Sequence, residues 1–286
     1  MNTLLEPLVR LTLFSLMLAL GIGLRLESLR TWLRQPALPL RVTLGSCLLV
    51  PLLGLLVLRS PWSLTIAKPA RTAIALMALC PSAPLALRQT RNAGGEMQLA
   101  ALVQVSAALA AMVTVPLLGI AYRSSFGLDG WDARPLDVAV QVGQAQVLPL
   151  ALGLALREWR PSLAERLQTP LDRLANGLLV LLVLLLLIKT SPLLMSFVPS
   201  NLEAIGVMLA MSLGSVGIGV VMASPDRHQG LTTGIVTAMR NPGLALLFAN
   251  RHGAGLDGLK LGILVYVLIT ALVSLPLLRL RQRPAR

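Results

Sequence analysis

Nine apolar runs, each near the roughly 20 residues that an α-helix needs to cross a bilayer, follow one another along this 286-residue chain. They cover about 9–24, 42–58, 70–87, 99–122, 138–156, 174–188, 202–223, 231–250 and 259–278. In hydrocarbon every backbone N–H and C=O must be paired within the protein, so such a chain folds into helices or a closed barrel. Barrel strands would alternate apolar and polar residues, and these runs do not. The chain therefore reads as an all-α polytopic membrane protein of about nine transmembrane helices, with residues 1–286 as one membrane domain. Hydrophobic residues make up 55% of it and charged residues 13%, and the joins are too short to hold a soluble domain. The first run is too long, and too poor in small residues at a cleavage site, for a removable signal peptide.

Two of the runs are interrupted. Residues 231–250 carry Arg240-Asn241-Pro242-Gly243 near their middle. Proline removes a backbone donor and clashes with the preceding turn, and glycine loosens the helix further. A central arginine costs roughly 2.5–3.5 kcal/mol on insertion scales. Residues 70–90 carry Pro81 and Pro84, with Arg88 one turn beyond. Irregular backbone at membrane depth survives where it is buried in protein or lines a cavity, so both read as discontinuous helices at a functional site. Each is followed by an unbroken apolar run ending in a similar phrase, Val115-Pro116-Leu117-Leu118 and Leu275-Pro276-Leu277-Leu278. Paired interrupted segments in corresponding halves point to inverted repeats and a transporter binding site.

The formal charge of +13 invites a nucleic-acid reading, but basic loops follow from the positive-inside rule. Counted by alternate sides, 15 Lys and Arg fall on one side and 9 on the other, with Arg240 assigned to neither. The richer side holds Arg25, Arg30, Arg34 and Arg41, then Arg157, Arg160, Arg166 and Arg173, then the tail from Arg279 to Arg286. That assigns the C-terminus to the cytoplasm and, with nine spans, the N-terminus to the outside of a cell (inner) membrane. Cys47 and Cys80 fall in or beside apolar runs and suggest no disulfide framework. His228 and His252 flank the second break without carboxylate or cysteine partners, so no metal cluster, cofactor or enzyme chemistry is legible. Asp129, Asp132 and Asp137 with Trp131 read as a solvated outer loop.

Several phrases, taken in order, resemble the bile acid:sodium symporter family. Met17-Leu18-Ala19-Leu20-Gly21-Ile22-Gly23-Leu24-Arg25 is similar to that family's early helix end and basic turn. Leu48-Leu49-Val50-Pro51-Leu52-Leu53-Gly54 resembles its next helix, and Cys80-Pro81-Ser82-Ala83 its first break. Pro149-Leu150-Ala151-Leu152-Gly153 with Arg157 resembles a later helix, and Ala238-Met239-Arg240-Asn241-Pro242-Gly243-Leu244 the second break. The resemblance implies two inverted repeats, a panel part and a core part, with the broken helices crossing in the core. Nine spans correspond to loss of the family's first helix.

The family binds two sodium ions beside the crossing, and the ligand positions the resemblance implies have changed here. The serine-asparagine pair after the first break becomes Ala86 and Leu87, the glutamate before the second break becomes Val236, and the glutamine becomes Arg240. A serine and threonine on the following helix fall near Ala100 and Gln104, and an early-helix glutamine becomes Ser46. Sodium needs oxygen ligands; alanine, leucine and valine side chains offer none, and an arginine repels the ion at short range. The sodium sites are expected to be lost.

One physical idea makes the replacements coherent. A guanidinium at Arg240, with Arg88 as a second candidate, takes the electrostatic place of the cations and suits a carboxylate, sulfate or phosphate group. This predicts a small-molecule anionic substrate, moved by exchange or with protons. The plainer use of Arg240 is to bond carbonyls freed by the helix break. Candidate substrate-binding residues are Arg240, Asn241, Arg88, Ser82, Thr90, Thr237 and Gln104. For Ser82, Thr90 and Thr237 the alternative is a back-bond to their own helix. Gln141, Gln144 and Gln146 are helix glue or path-lining amides, Gln141 and Gln144 sharing a face at i, i+3. Gly214, Gly217 and Gly219 permit close helix approach. Two rival functions remain open: a related arsenite- or auxin-type exporter, and a non-transporting receptor or scaffold that kept the fold.

Overall fold

The computed structural model describes residues 5–25, 36–126, 134–223, 225–252 and 258–279, with 27, 30, 34 and 256 as isolated positions. The described residues are helical almost throughout. α1 is Leu5–Gly23, α2 Ala37–Arg59, α5 Met97–Phe126, α6 Pro135–Trp159, α7 Pro161–Ser200 and α8 Leu202–Ala223. The first interrupted run splits into α3 (Lys68–Leu79) and α4 (Leu85–Ala93), the second into α9 (Arg227–Ala238) and α10 (Pro242–His252). α11 is Leu259–Arg279. Six of these helices, α1, α2, α5, α6, α7 and α8, are long and apolar enough to cross a membrane, so the chain is a multi-pass membrane protein.

Proline sets several boundaries. Pro69, Pro135 and Pro161 sit in the first turns of α3, α6 and α7, where the missing N–H is an orphan in any case. α2 and α6 each contain a widened π-type turn, at Gly45–Leu49 and Gly143–Val147. In both, a proline (Pro51, Pro149) stands six positions after the leading glycine. The proline ring would collide with the carbonyl four residues back, and the extra residue in the turn relieves that collision.

The helices pack as two sets that also touch each other, α6 against α5 and α1 against α10. α1 lies along α6 and α7. α3 packs on α2 and α11, α8 packs on α9 and α11, and α5 packs on α2. α1 meets α6 backbone to backbone, because a Cβ at Gly21 would come within 2.2 Å of the Leu150 carbonyl oxygen and one at Gly153 within 2.4 Å of that of Leu18. Gly219 makes the same kind of approach to the Thr233 carbonyl, whereas Gly214 faces only Leu53 and Gly217 has nothing within 4 Å.

The core sits on the broken helices. Every residue from Thr72 to Leu79 of α3 is buried, and around them pack Tyr122, Met208, Phe248 and Tyr266. A helix that is apolar and small on all sides is built to be surrounded by protein. α7 is the opposite case, with Leu174, Leu181, Leu184 and Ile188 all exposed on an apolar, lipid-type surface.

Two expectations need correction. The sixth run was placed at 174–188, but α7 begins at Pro161. The polar segment 161–173 keeps good helix formers in Leu163, Ala164, Glu165 and Leu167, so it extends the helix rather than looping. Gln141 and Gln144 do not share a face, since Gln141 is buried and Gln144 exposed, because the widened turn starts between them. Asp129, Trp131 and Asp132 lie outside the described residues, as do the side chains of His228 and His252.

Candidate functional site

The two breaks touch each other. α3 ends at Leu79 and α4 starts at Leu85; α9 ends at Ala238 and α10 starts at Pro242. Between these ends the extended backbones pair antiparallel at Ser82 and Arg240. The Ala83 N–H donates to the Met239 carbonyl at 2.9 Å, and the Asn241 N–H to the Cys80 carbonyl at 3.4 Å. The pairing satisfies backbone groups that proline and glycine released from the helices.

Arg240 is 2% exposed and spends its donors on protein acceptors. Nε donates to the Met77 carbonyl at 3.1 Å and Nη2 to the Ala78 carbonyl at 2.5 Å. Nη1 donates to both the carbonyl and the hydroxyl of Ser46 at 3.0 Å. Met77 and Ala78 belong to the last turn of α3, whose carbonyls lack intrahelical partners and carry the negative end of the helix dipole. The plainer use of this arginine, a bond to carbonyls freed by a break, is therefore present. It also binds one break to the widened turn of α2.

A second cross-link lies on the other side of the crossing. Gln104 of α5, fully buried, donates from Nε2 to the Ser82 carbonyl at 2.9 Å and accepts from the Ser82 hydroxyl at 2.8 Å. Asn241 caps α10, its Oδ1 accepting from the Leu244 N–H at 3.1 Å, while its buried Nδ2 has no partner among the described residues. The Thr90 and Thr237 hydroxyls are buried and likewise without partners, so neither back-bonds to its helix. Ser82 uses Gln104 instead.

Three of the positions that the resemblance matches to sodium ligands are apolar and lie together. Ala86, Ala100 and Val236 pack with Val42, Ile235 and Met239 in one buried apolar cluster. Leu87 turns toward a cavity. These side chains supply no oxygen, and the remaining equivalents, Ser46 with Arg240 and Gln104 with Ser82, are bonded to each other.

That cavity, of about 520 Å³, opens between α1 and α7 on one wall and α4 with the start of α5 on the other. It reaches the first turn of α4 at Pro84 and Leu87. Three arginines line it: Arg25 at the end of α1, and Arg88 and Arg91 on α4. Asn92, Gln98, Gln168 and Asn176 add uncharged polar groups, and among the described residues Asp172 of α7 is the one carboxylate on the lining.

Of the candidates from sequence, Arg240, Asn241, Ser82 and Gln104 thus meet at the crossing, and Arg88 stands apart in the cavity. Arg240 is not on its lining. Arg91, Asp172 and Asn176 were missed. Arg91 follows Arg88 at i, i+3 and so shares its helix face, a spacing that flags it. Asp172 was hidden by placing 157–173 in a loop.

The comparisons with known proteins bear on the first break and the cavity, and stop short of the second break. No curated protein sequence matches the chain. The sequence profile of the Sodium Bile acid symporter family matches residues 10–197, about two thirds of the chain. The match takes in α1 to α6, most of α7, the first break, Gln104 and the cavity residues, and an all-helical, multi-pass fold agrees with it. The chain belongs to the sodium bile acid symporter family.

Proposed function

We propose that this protein is a sodium-independent carrier of a small organic anion, working by alternating access in a cell (inner) membrane. The observation that carries the reading is the cavity lined by Arg25, Arg88 and Arg91, which opens beside the crossed breaks and between the two helix groups. Three guanidiniums in one cleft raise the local concentration of anions and bind carboxylate, sulfonate or phosphate through paired donors. The N-terminal turn of α4 on the same cavity adds partial positive charge.

Sodium independence follows from what fills its places. Arg240 supplies a permanent positive charge at the crossing and the apolar cluster of Ala86, Ala100 and Val236 closes the other position. A tethered cation cannot travel with the substrate, so no sodium gradient is tapped through it. The architecture we assign counts nine spans, the two broken pairs and α11 joining the six long helices, with inverted repeats in which α3/α4 and α5 correspond to α9/α10 and α11. The group of α1, α6 and α7 forms the panel, and the remainder the core that rocks against it. By the positive-inside rule the C-terminus is cytoplasmic, the N-terminus outside, and the cavity, which holds Arg25, opens to the cytoplasm.

Thermal unfolding of the purified chain across a panel of organic anions, with and without sodium, tests this reading. Stabilisation by an anion, lost in Arg88→Gln and indifferent to sodium, is the expected result. Stabilisation by sodium alone contradicts it. No response to any ligand favours the receptor or scaffold reading.

A further inference from the structure

Among the described residues the arginine-lined cavity holds one carboxylate, on the opposite wall from the arginines of α4. Asp172 projects from α7 among Gln168, Ala175 and Asn176, while Arg88 and Arg91 project from α4. Arg91 and Asp172 share this cavity, one on each wall. The other charged group on the lining is Arg25 at the end of α1. From α5 the facing polar residue is the uncharged Gln98, and on α6 Arg157 is taken by Glu165 at 3.3 Å. Among the described residues the formal charge of the lining is three arginines less one aspartate, +2.

A carboxylate so placed has two consequences. Ionised, it is an internal anion that competes with a bound substrate for Arg91. Neutralised, it leaves all three guanidiniums free and removes a like charge from the neighbourhood of the substrate.

Building on the anion-carrier reading, we propose that the Asp172 carboxylate is the proton-binding group of this transporter. It takes a proton from the aqueous cavity as the substrate anion enters beside it, since two like charges in one cleft favour neutralising the carboxylate, so that proton and anion are carried together. No bond to the substrate forms; the transferred species is one proton, gained by a carboxylate oxygen and given back to water when the anion leaves. Linkage makes the effect reciprocal: whatever factor the proton contributes to anion affinity, the anion contributes to proton affinity.

Titration calorimetry of the full-length protein with p-toluenesulfonate, whose own charge is constant near pH 6, tests this. Repeating the titration in buffers of different ionisation enthalpy counts the protons taken up per anion bound. The wild type is expected to take up protons on binding. Asp172→Asn is expected to bind roughly fivefold or more tightly than the wild type, with no proton uptake, and Asp172→Glu to keep the uptake. Arg91→Gln, an independent probe from the other wall, is expected to weaken binding and reduce the uptake. Undiminished uptake in Asp172→Asn, or sulfonate binding by the wild type with no uptake, overturns the proposal and leaves the anion site standing. Failure of the wild type and all variants to bind the sulfonate overturns both.

Discussion

Arg240 meets Ser46 twice, at 3.0 Å to its carbonyl and 3.0 Å to its hydroxyl. Through that contact the second break is tied to the widened turn of α2, and through Met77 and Ala78 to the end of α3. One charged side chain thus joins three segments whose backbones are irregular or unfinished.

Removing that side chain leaves carbonyls at the end of α3 without donors in a buried site. Arg240→Ala is expected to destabilise the protein by about 2 kcal/mol or more, since each buried acceptor it strands costs about 1–3 kcal/mol. Arg240→Lys should recover part of this, because an ammonium is a point donor and cannot span the acceptors as a fork does. Chemical or thermal unfolding in detergent measures both. Full stability in Arg240→Ala would show the bonds to be incidental.

The Gln104–Ser82 pair should behave as a reciprocal amide–hydroxyl clamp. Gln104→Leu strands both the carbonyl and the hydroxyl of Ser82 and is expected to cost about 2–3 kcal/mol, while Ser82→Ala should cost about 1 kcal/mol. A double-mutant cycle on the two positions is expected to give strong coupling; additive losses would contradict it.

Close backbone approach makes α1 and α6 intolerant of added atoms. Gly21→Ala is expected to lose about 1–3 kcal/mol or to force the helices apart. Gly177→Ala, with nothing within 4 Å of its Cβ, should be neutral to slightly stabilising. Expression level and unfolding temperature of the two variants compare them directly.

Arg88 and Arg91 differ from Arg240 in facing open space. Arg88→Gln and Arg91→Gln should each weaken anion binding roughly tenfold while leaving unfolding temperature without ligand unchanged. A loss of stability without a loss of affinity would assign these arginines to structure alone.

Much of this was legible before any coordinates. Runs of bilayer length and continuous apolarity dictate a multi-pass helical fold, since no other backbone solution spans hydrocarbon. Proline, glycine and arginine together located both breaks. The partners of Arg240 were not legible, because Met77 and Ala78 offer main-chain carbonyls, which leave no mark on residue type. Asp172 was misplaced for a related reason. Charge in 157–173 suggested solvent, yet a helix that protrudes past the hydrocarbon keeps charged residues on its turns without ending. The burial of Gln141 against the exposure of Gln144 depended on a widened turn, whose only sequence mark is a glycine six positions before a proline.

Uptake into proteoliposomes tests the central claim most directly. Initial rates of p-toluenesulfonate entry are measured with an inward sodium gradient and with potassium in its place, at matched pH and membrane potential. The account predicts equal rates, and their loss in Arg88→Gln. A rate that rises steeply with the sodium gradient would contradict it, because Arg240 and the cluster around Val236 would then not have displaced the cations.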